Sequence, residues 1–299
     1  MNPYDIVFIG HICIDEIQRF RGQTSIETGG AALYSPVAAC LPGLKIAVIT
    51  RMAGDDYHLF DPLKAKGIDV YVQPSAETTH QRVVHSTENP DEREIFQTKN
   101  AGSFEHAEIL FPEKPRLIHL AGLSDQEFTV EFMSALKARG YDLSVDMQCF
   151  VRQVDALTGV IHFRDVPRKK EIIGMAKAVK LDVVEAELLT GTADLSRAAR
   201  IVETWGSPET MVTRADGVLV RAEGKEYFES FSNRSIEGRT GRGDTTFGAY
   251  LAKRLDHSIE ESLLFAAAVV SIKMESPGPF NGSMDDVLAR MRMGSHLDL

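Results

Sequence analysis

The stretch Thr240-Gly241-Arg242-Gly243-Asp244-Thr245-Thr246-Phe247-Gly248-Ala249 decides how the rest of the chain is read. Two glycines flank one residue, an aspartate follows at once, and Phe247, Leu251 and Leu255 then recur at helical spacing with good helix formers between them. Glycine ahead of a helix lets the backbone come close to a ligand. The first N–H groups of a helix have no internal partner, and the aligned peptide dipoles add partial positive charge there. Such a corner holds anions, phosphate above all. A carboxylate beside bound phosphate is costly unless it has chemistry to perform. The chemistry that fits Asp244 is to accept a proton from an alcohol attacking a phosphoryl group. An ordinary turn in which Asp244 caps the helix has the same residues, and segments elsewhere in the chain choose between the two.

Working outward, strand-like runs at 6–9, 45–50, 117–120, 143–145 and 210–213 alternate with helical patterns at 32–41, 57–65, 126–138, 169–178, 185–189, 195–204 and 259–274. Pro36 is expected in the first turn of its helix. The runs 217–222 and 225–230 read as a hairpin about Glu223-Gly224. This alternation predicts an α/β fold with a mainly parallel central sheet and helices on both faces. Ligands in such folds bind at the carboxyl ends of the strands. Asp15, Asp146, Glu185 and Asp244 each fall just past a predicted strand or at a helix start, so they are expected to converge on one edge. Two segments resist the pattern. Residues 16–28 are polar and irregular, and residues 80–98 alternate (Val83, His85, Thr87, then Glu94, Phe96, Thr98) around the turn Glu88-Asn89-Pro90-Asp91. Both read as strands of a small sheet standing off the core.

With these segments in place, the chain resembles the PfkB/ribokinase family of small-molecule kinases. The matching residues are Gly241, Gly243, Asp244 and Thr245 at the corner and Asp5-Ile6-Val7-Phe8-Ile9-Gly10 with Asp15 near the start. Gly29-Gly30-Ala31-Ala32, Gly54-Asp55-Asp56, Asp146-Met147-Gln148 and Asp182-Val183-Val184-Glu185 follow in family order. Arg242, Gly238, Arg239, Tyr34, Gln148 and Asp182 depart from the usual residues.

The resemblance implies a single ribokinase-like domain over 1–299, with a small β lid from segments inserted at about 12–30 and 78–104. It implies transfer of the γ-phosphoryl group of ATP to an alcohol of a small sugar, polyol or nucleoside. Asp244 would be the base, kept ionised by its helix N-terminus, and the corner of Gly241, Arg242, Gly243 and Asp244 the anion hole, with the N–H groups of Arg242, Gly243 and Asp244 as its donors. Asp15, Gly29, Gly30, Tyr34, Gln148 and Arg152 fall on the acceptor side. Asp182, Thr213 and Thr240, with Gly241 and Gly243, fall on the donor side. Glu185 would organise Mg2+, and a monovalent cation such as K+ goes with the family's phosphate corner. Residues 267–271 offer an apolar wall for adenine, and core packing explains that stripe equally well. Arg242 either braces a phosphate as a bidentate donor or points to solvent. The expected partner is a small polyhydroxy acceptor, and a homodimer through the lid is a further expectation. The alternative is a catalytically silent nucleotide or sugar sensor on the same scaffold.

Composition narrows the field. In 299 residues the formal net charge is -10 with a pI near 5.4, which argues against general nucleic-acid or anionic-membrane binding. Cys13, Cys40 and Cys149 are far apart and suggest neither a metal site nor a disulfide. The apolar run 263–270 is too short to span a bilayer, and no signal peptide is evident, so a cytoplasmic protein is expected. Gly10-His11-Ile12-Cys13 lacks the Gly-x-Gly-x-x-Gly turn of a dinucleotide enzyme, and no Walker motif occurs.

Overall fold

The computed structural model describes residues 3–88 and 92–294. A nine-stranded sheet runs in the order β15 (Lys225–Ser230), β14 (Gly217–Ala222), β13 (Glu209–Thr213), β12 (Ala178–Asp182), β9 (Leu143–Asp146), β8 (Leu117–Leu120), β1 (Ile6–Ile9), β4 (Ile46–Met52) and β5 (Asp69–Pro74). From β13 to β5 every pairing is parallel; β14 and β15 add an antiparallel edge. β1 explains the arrangement in miniature. Its four apolar residues are all buried, as an interior parallel strand requires. Ile6 and Phe8 join one core with α1 (Ala31–Ala39), α8 (Arg242–Arg254) and α9 (Ile259–Lys273). Val7 and Ile9 join the other with α3 (Val130–Ala138), α5 (Lys169–Met175), α6 (Val183–Thr190) and α7 (Leu195–Glu203). Three more helices, α2 (Asp61–Ala65), α4 (Gln148–Val151) and α10 (Met284–Gly294), complete the described set.

The second sheet has four strands in the order β3 (Thr24–Gly29), β2 (Cys13–Gln18), β6 (His80–Val84) and β7 (Glu94–Lys99). It is built from the two segments that resisted the strand–helix pattern. A short ribbon of β10 (Arg152–Val154) and β11 (Ile161–Phe163) reaches β7 through a bridge between Phe96 and Val160. Most of the proposed turn at 88–91 lies outside the described residues.

The hairpin at Glu223-Gly224 forms as expected, with positive φ at both residues (53° and 75°), the backbone a two-residue turn needs. Other expectations are corrected. The 169–178 helix stops at Met175, and Ala178 already opens β12. Lys180 breaks the apolar run there, which hides a buried strand from a hydrophobicity reading. Pro36 sits inside α1, not in its first turn. Its missing N–H costs one helical bond, a loss offset by burial of α1 along its whole length against neighbouring elements. β5 and α10 carried no clear signal and went unread.

Candidate active site

Gly241 is the N-cap of α8 and holds φ at 76°, a left-handed conformation that suits glycine. A Cβ there would also stand 2.4 Å from the Tyr34 ring. The corner is therefore shaped by Tyr34 on α1 as much as by its own turn. Gly30, with φ at 104°, ends the β3–α1 junction in the same way, since a Cβ would meet the His11 carbonyl oxygen at 2.4 Å. Ser35 on α1 donates to the Asp244 carbonyl oxygen at 2.9 Å, pinning the first turn of α8 to that helix.

These elements border one cavity of about 540 Å³. The corner lines it with Thr240, Gly241, Arg242, Gly243 and Asp244. Asp15, Gly30, Tyr34, Gln148 and Arg152 line it from the acceptor side, and Asp182 and Thr213 from the strand ends. Twelve of the fourteen candidate site residues thus meet at one opening. The other two do not line it. Gly29 packs behind Gly30 against the Asp15 side chain. Glu185 is 0% exposed beneath the surface.

Burial raises the pKa of Asp244 above the ordinary carboxylate range, while Lys180 pulls it down. The helix N-terminus alone was expected to keep Asp244 ionised; desolvation opposes it and leaves a more basic carboxylate. Asp15 is pushed up to about 6, chiefly by burial, with the Cys13 thiol donating to it at 3.1 Å and opposing the shift. The anion hole also needs correction. The Arg242 N–H donates to the Arg239 carbonyl at 3.1 Å, so it is not available to a phosphate. The first-turn donors left by helix geometry are those of Gly243 and Asp244.

Gln148 is buried, and its Nε2 donates to the Gly122 carbonyl at 2.8 Å. The Arg152 guanidinium lies over the Phe163 ring at 5.7 Å, and its Nε is buried without a hydrogen-bond partner. Asp182 caps α6 in a reciprocal box: it accepts from the Glu185 N–H at 2.8 Å, and its own N–H donates to Glu185 Oε2 at 2.8 Å. Glu185 Oε1 is buried with no hydrogen-bond partner among the described residues. Burial, then Asp182, raises the Glu185 pKa to about 8. A buried carboxylate oxygen without a partner, next to the cavity-lining Asp182, fits a water of a magnesium shell, because magnesium keeps much of its hydration. Among the described residues no group of three or more acidic, cysteine or histidine side chains forms a direct metal cage.

Two lysines went unread in the sequence. Lys180 lines the cavity, and its Nζ donates to Asp146 Oδ2 at 2.9 Å and Oδ1 at 3.2 Å. A Cβ on Gly243 would come within 3.0 Å of that Nζ, so the ammonium sits directly behind the corner. The signal was a lysine amid apolar residues in the buried run Ala178-Val179-Lys180-Leu181. Lys273, at the end of α9, is 1% exposed, and its Nζ donates to the carbonyls of Gly238 and Thr240. By contrast His11 is a structural histidine, held by Thr79 and the Gly102 carbonyl. The stripe at 267–271 is buried in α9 and does not line the cavity, so it is core.

The model of the pfkB family of carbohydrate kinases matches residues 4–286. The chain belongs to that family. A cytidine kinase of Thermococcus kodakarensis is 27% identical over 264 residues, covering 83% of this chain and 87% of the relative. Among solved structures, a pyrophosphate-dependent kinase in the ribokinase family, in complex with sulfate, superposes with a TM-score of 0.87 at 35% identity over 95% of this chain and 99% of the other. Ribokinase of Arabidopsis thaliana, complexed with ribose and ATP, has the same fold, with a TM-score of 0.72 at 18% identity over 97% and 99%. As a pfkB family member, the chain is a phosphotransferase that acts on an alcohol group of a small molecule. Its fold is ribokinase-like, and no described helix is long and apolar enough to cross a membrane.

Proposed function

We propose that Asp244 takes the proton of an acceptor hydroxyl while that oxygen bonds to a phosphorus atom and the bond from phosphorus to the departing phosphate breaks. The supporting observation is that Asp15, Asp244 and the α8 N-terminus open on one cavity. The acceptor in this reading is a polyhydroxylated small molecule whose hydroxyls donate to Asp15, with Gln148, Arg152 and Tyr34 bounding it. The N–H groups of Gly243 and Asp244 hold the transferred oxygens, and Lys180 supplies positive charge behind them. Arg242 and Thr240 complete the donor side with Asp182 and Thr213. Glu185 Oε1 would hold Mg2+ through water, and the ion would neutralise charge on the donor phosphates. The four-stranded sheet acts as a lid that excludes water from the cavity. A homodimer through that sheet goes with the same reading, since Ile26 on its outer strand is 65% exposed. A sizing column that returns a monomer at high concentration removes that element alone.

The donor in this reading is ATP with Mg2+. Pyrophosphate is a second reading, favoured by two observations. The solved relatives at 33–35% identity are pyrophosphate-dependent, one of them complexed with myo-inositol and one acting on it. In addition, the α9 stripe that was a candidate adenine wall does not reach the cavity. A panel of inositols, sugars and nucleosides, each offered ATP or pyrophosphate with Mg2+ and followed by phosphorus NMR, tests both. Acceptor-dependent transfer is expected with one donor, and Asp244→Asn should slow it by about 10²–10⁴-fold without unfolding the protein. Near-normal transfer by the folded Asn variant would refute the assignment of the base. A donor that is bound but never consumed would favour the silent sensor.

A further inference from the structure

The loop from Gly238 to Gly241 is fastened to the end of α9 at two points. The Gly238 N–H donates to the Met274 carbonyl at 2.9 Å, and the Lys273 Nζ takes the carbonyls of Gly238 and Thr240. That ammonium also lies over the face of Tyr34, 5.0 Å from the ring centroid. Among the described residues no carboxylate pairs with it; Asp244 and Glu27 act on it only at longer range. Converging backbone carbonyls are the ligands that replace the water shell of a potassium ion, and an ammonium is of similar size and equal charge. The carbonyls present would suit a free K+, but the place is filled by a side chain of the chain itself. A bound monovalent ion therefore does not fit here.

We propose that Lys273 is a tethered substitute for a monovalent cation at the phosphate corner, so that this kinase needs no free K+. The geometry gives the substitute a task. A trans peptide is planar, with its C=O and N–H on opposite sides. Holding the Thr240 carbonyl toward Lys273 turns the Gly241 N–H of the same peptide away from it. The positive charge also stands near Asp244 without pairing with it. Lys273 is thus a positioning residue for the corner, acting through the loop.

The inference rests on the kinase reading for its rate measurements only. The test compares wild type with Lys273→Ala in tetramethylammonium, Li+, K+ and ammonium chlorides at matched ionic strength. Wild-type rate and thermal midpoint should not depend on which cation is present. The alanine variant should lose roughly a hundredfold in rate in tetramethylammonium and recover much of it in K+ or ammonium. Its thermal midpoint should rise with K+ and not with Li+, a binding readout that needs no turnover and survives failure of the kinase reading. Activation of the wild type by K+ overturns the proposal, as does a folded alanine variant whose rate and midpoint are indifferent to Lys273 and cation alike. If Lys273→Ala does not fold, the wild-type cation series and Lys273→Met decide in the same terms.

Discussion

Two buried ammonium groups stand at the Gly241–Asp244 corner, one in the middle of β12 and one at the end of α9. They differ in what answers their charge. Lys180, 4% exposed, meets a carboxylate in Asp146. Lys273, 1% exposed, meets two carbonyls and the face of a phenol. Burial works against the charge of both. Around Lys180 it is outweighed by Asp146, then Glu185, Asp182 and Asp244, and the pKa ends above the ordinary lysine value. Around Lys273 burial prevails over the distant Asp244 and Glu27, and the pKa falls to about 8. The partner, not the depth, decides whether a buried lysine is a fixed charge or one that can be lost.

The largest expected effect comes from taking the fixed charge away. Lys180→Met leaves the Asp146 carboxylate buried without its counter-ion, which should cost about 3–5 kcal/mol in urea unfolding. The double variant with Asp146→Asn should regain part of that loss, because the stranded charge is gone. A Lys180→Met protein as stable as wild type would break the contrast, since the pair would then be no better partnered than Lys273.

Rising pH separates the two lysines next. The rate should fall above about 8 as Lys273 loses its proton, with about a tenfold loss of the charged form per further pH unit. Lys273→Arg, which keeps its charge, should remove that limb if the corner tolerates the larger head group. Stability moves the other way. The folded pKa of Lys273 lies below its unfolded value, so from about 8 up to the ordinary lysine value the unfolded chain holds a proton that the folded chain has released. Over that window this group makes the fold more stable, on the order of 3 kcal/mol in all. Lys180 has the opposite sign. Its folded pKa is raised, so its contribution is fully present below the ordinary lysine value and is lost only as pH climbs from there through the raised one. Parallel pH–rate and pH–denaturation series should therefore diverge above about 8; a rate and a stability that fall together there would sink the assignment.

The corner was legible in the sequence because its chemistry is local: glycine, glycine, aspartate and a helical period stand side by side. The central sheet was legible for the same reason, since apolar strands such as β1 declare themselves alone. Lys180 and Lys273 were not. Each matters through partners far along the chain, Asp146 for one and the Gly238–Thr240 loop for the other, and periodicity carries nothing about such meetings. Lys180 even concealed its own strand. The Arg242 N–H shows a third kind of limit. The motif suggests three donors, and only the fold reveals that the Arg239 carbonyl has already taken one.

The smallest effect concerns the carboxylates, where the same contrast recurs. Asp146 has Lys180, whereas Glu185 Oε1 has no hydrogen-bond partner among the described residues. Glu185→Gln keeps an oxygen for the Asp182 N–H, and Gln serves a capping box as Glu does. The substitution also removes a buried negative charge whose pKa is already raised to about 8. Stability near neutral pH should therefore rise, because the unfolded chain holds an ionised carboxylate here that folding must desolvate or protonate. If Glu185 serves only to cap α6 through Oε2, the Mg2+ concentration for half-maximal rate should not move. If it orients metal-bound water, that concentration should rise by roughly 10-fold or more, with KM for the acceptor unchanged. A Mg2+ titration of the two proteins at fixed donor reads the difference. An unchanged midpoint would assign Glu185 to the helix cap alone, and the magnesium role would then pass to other groups at the corner.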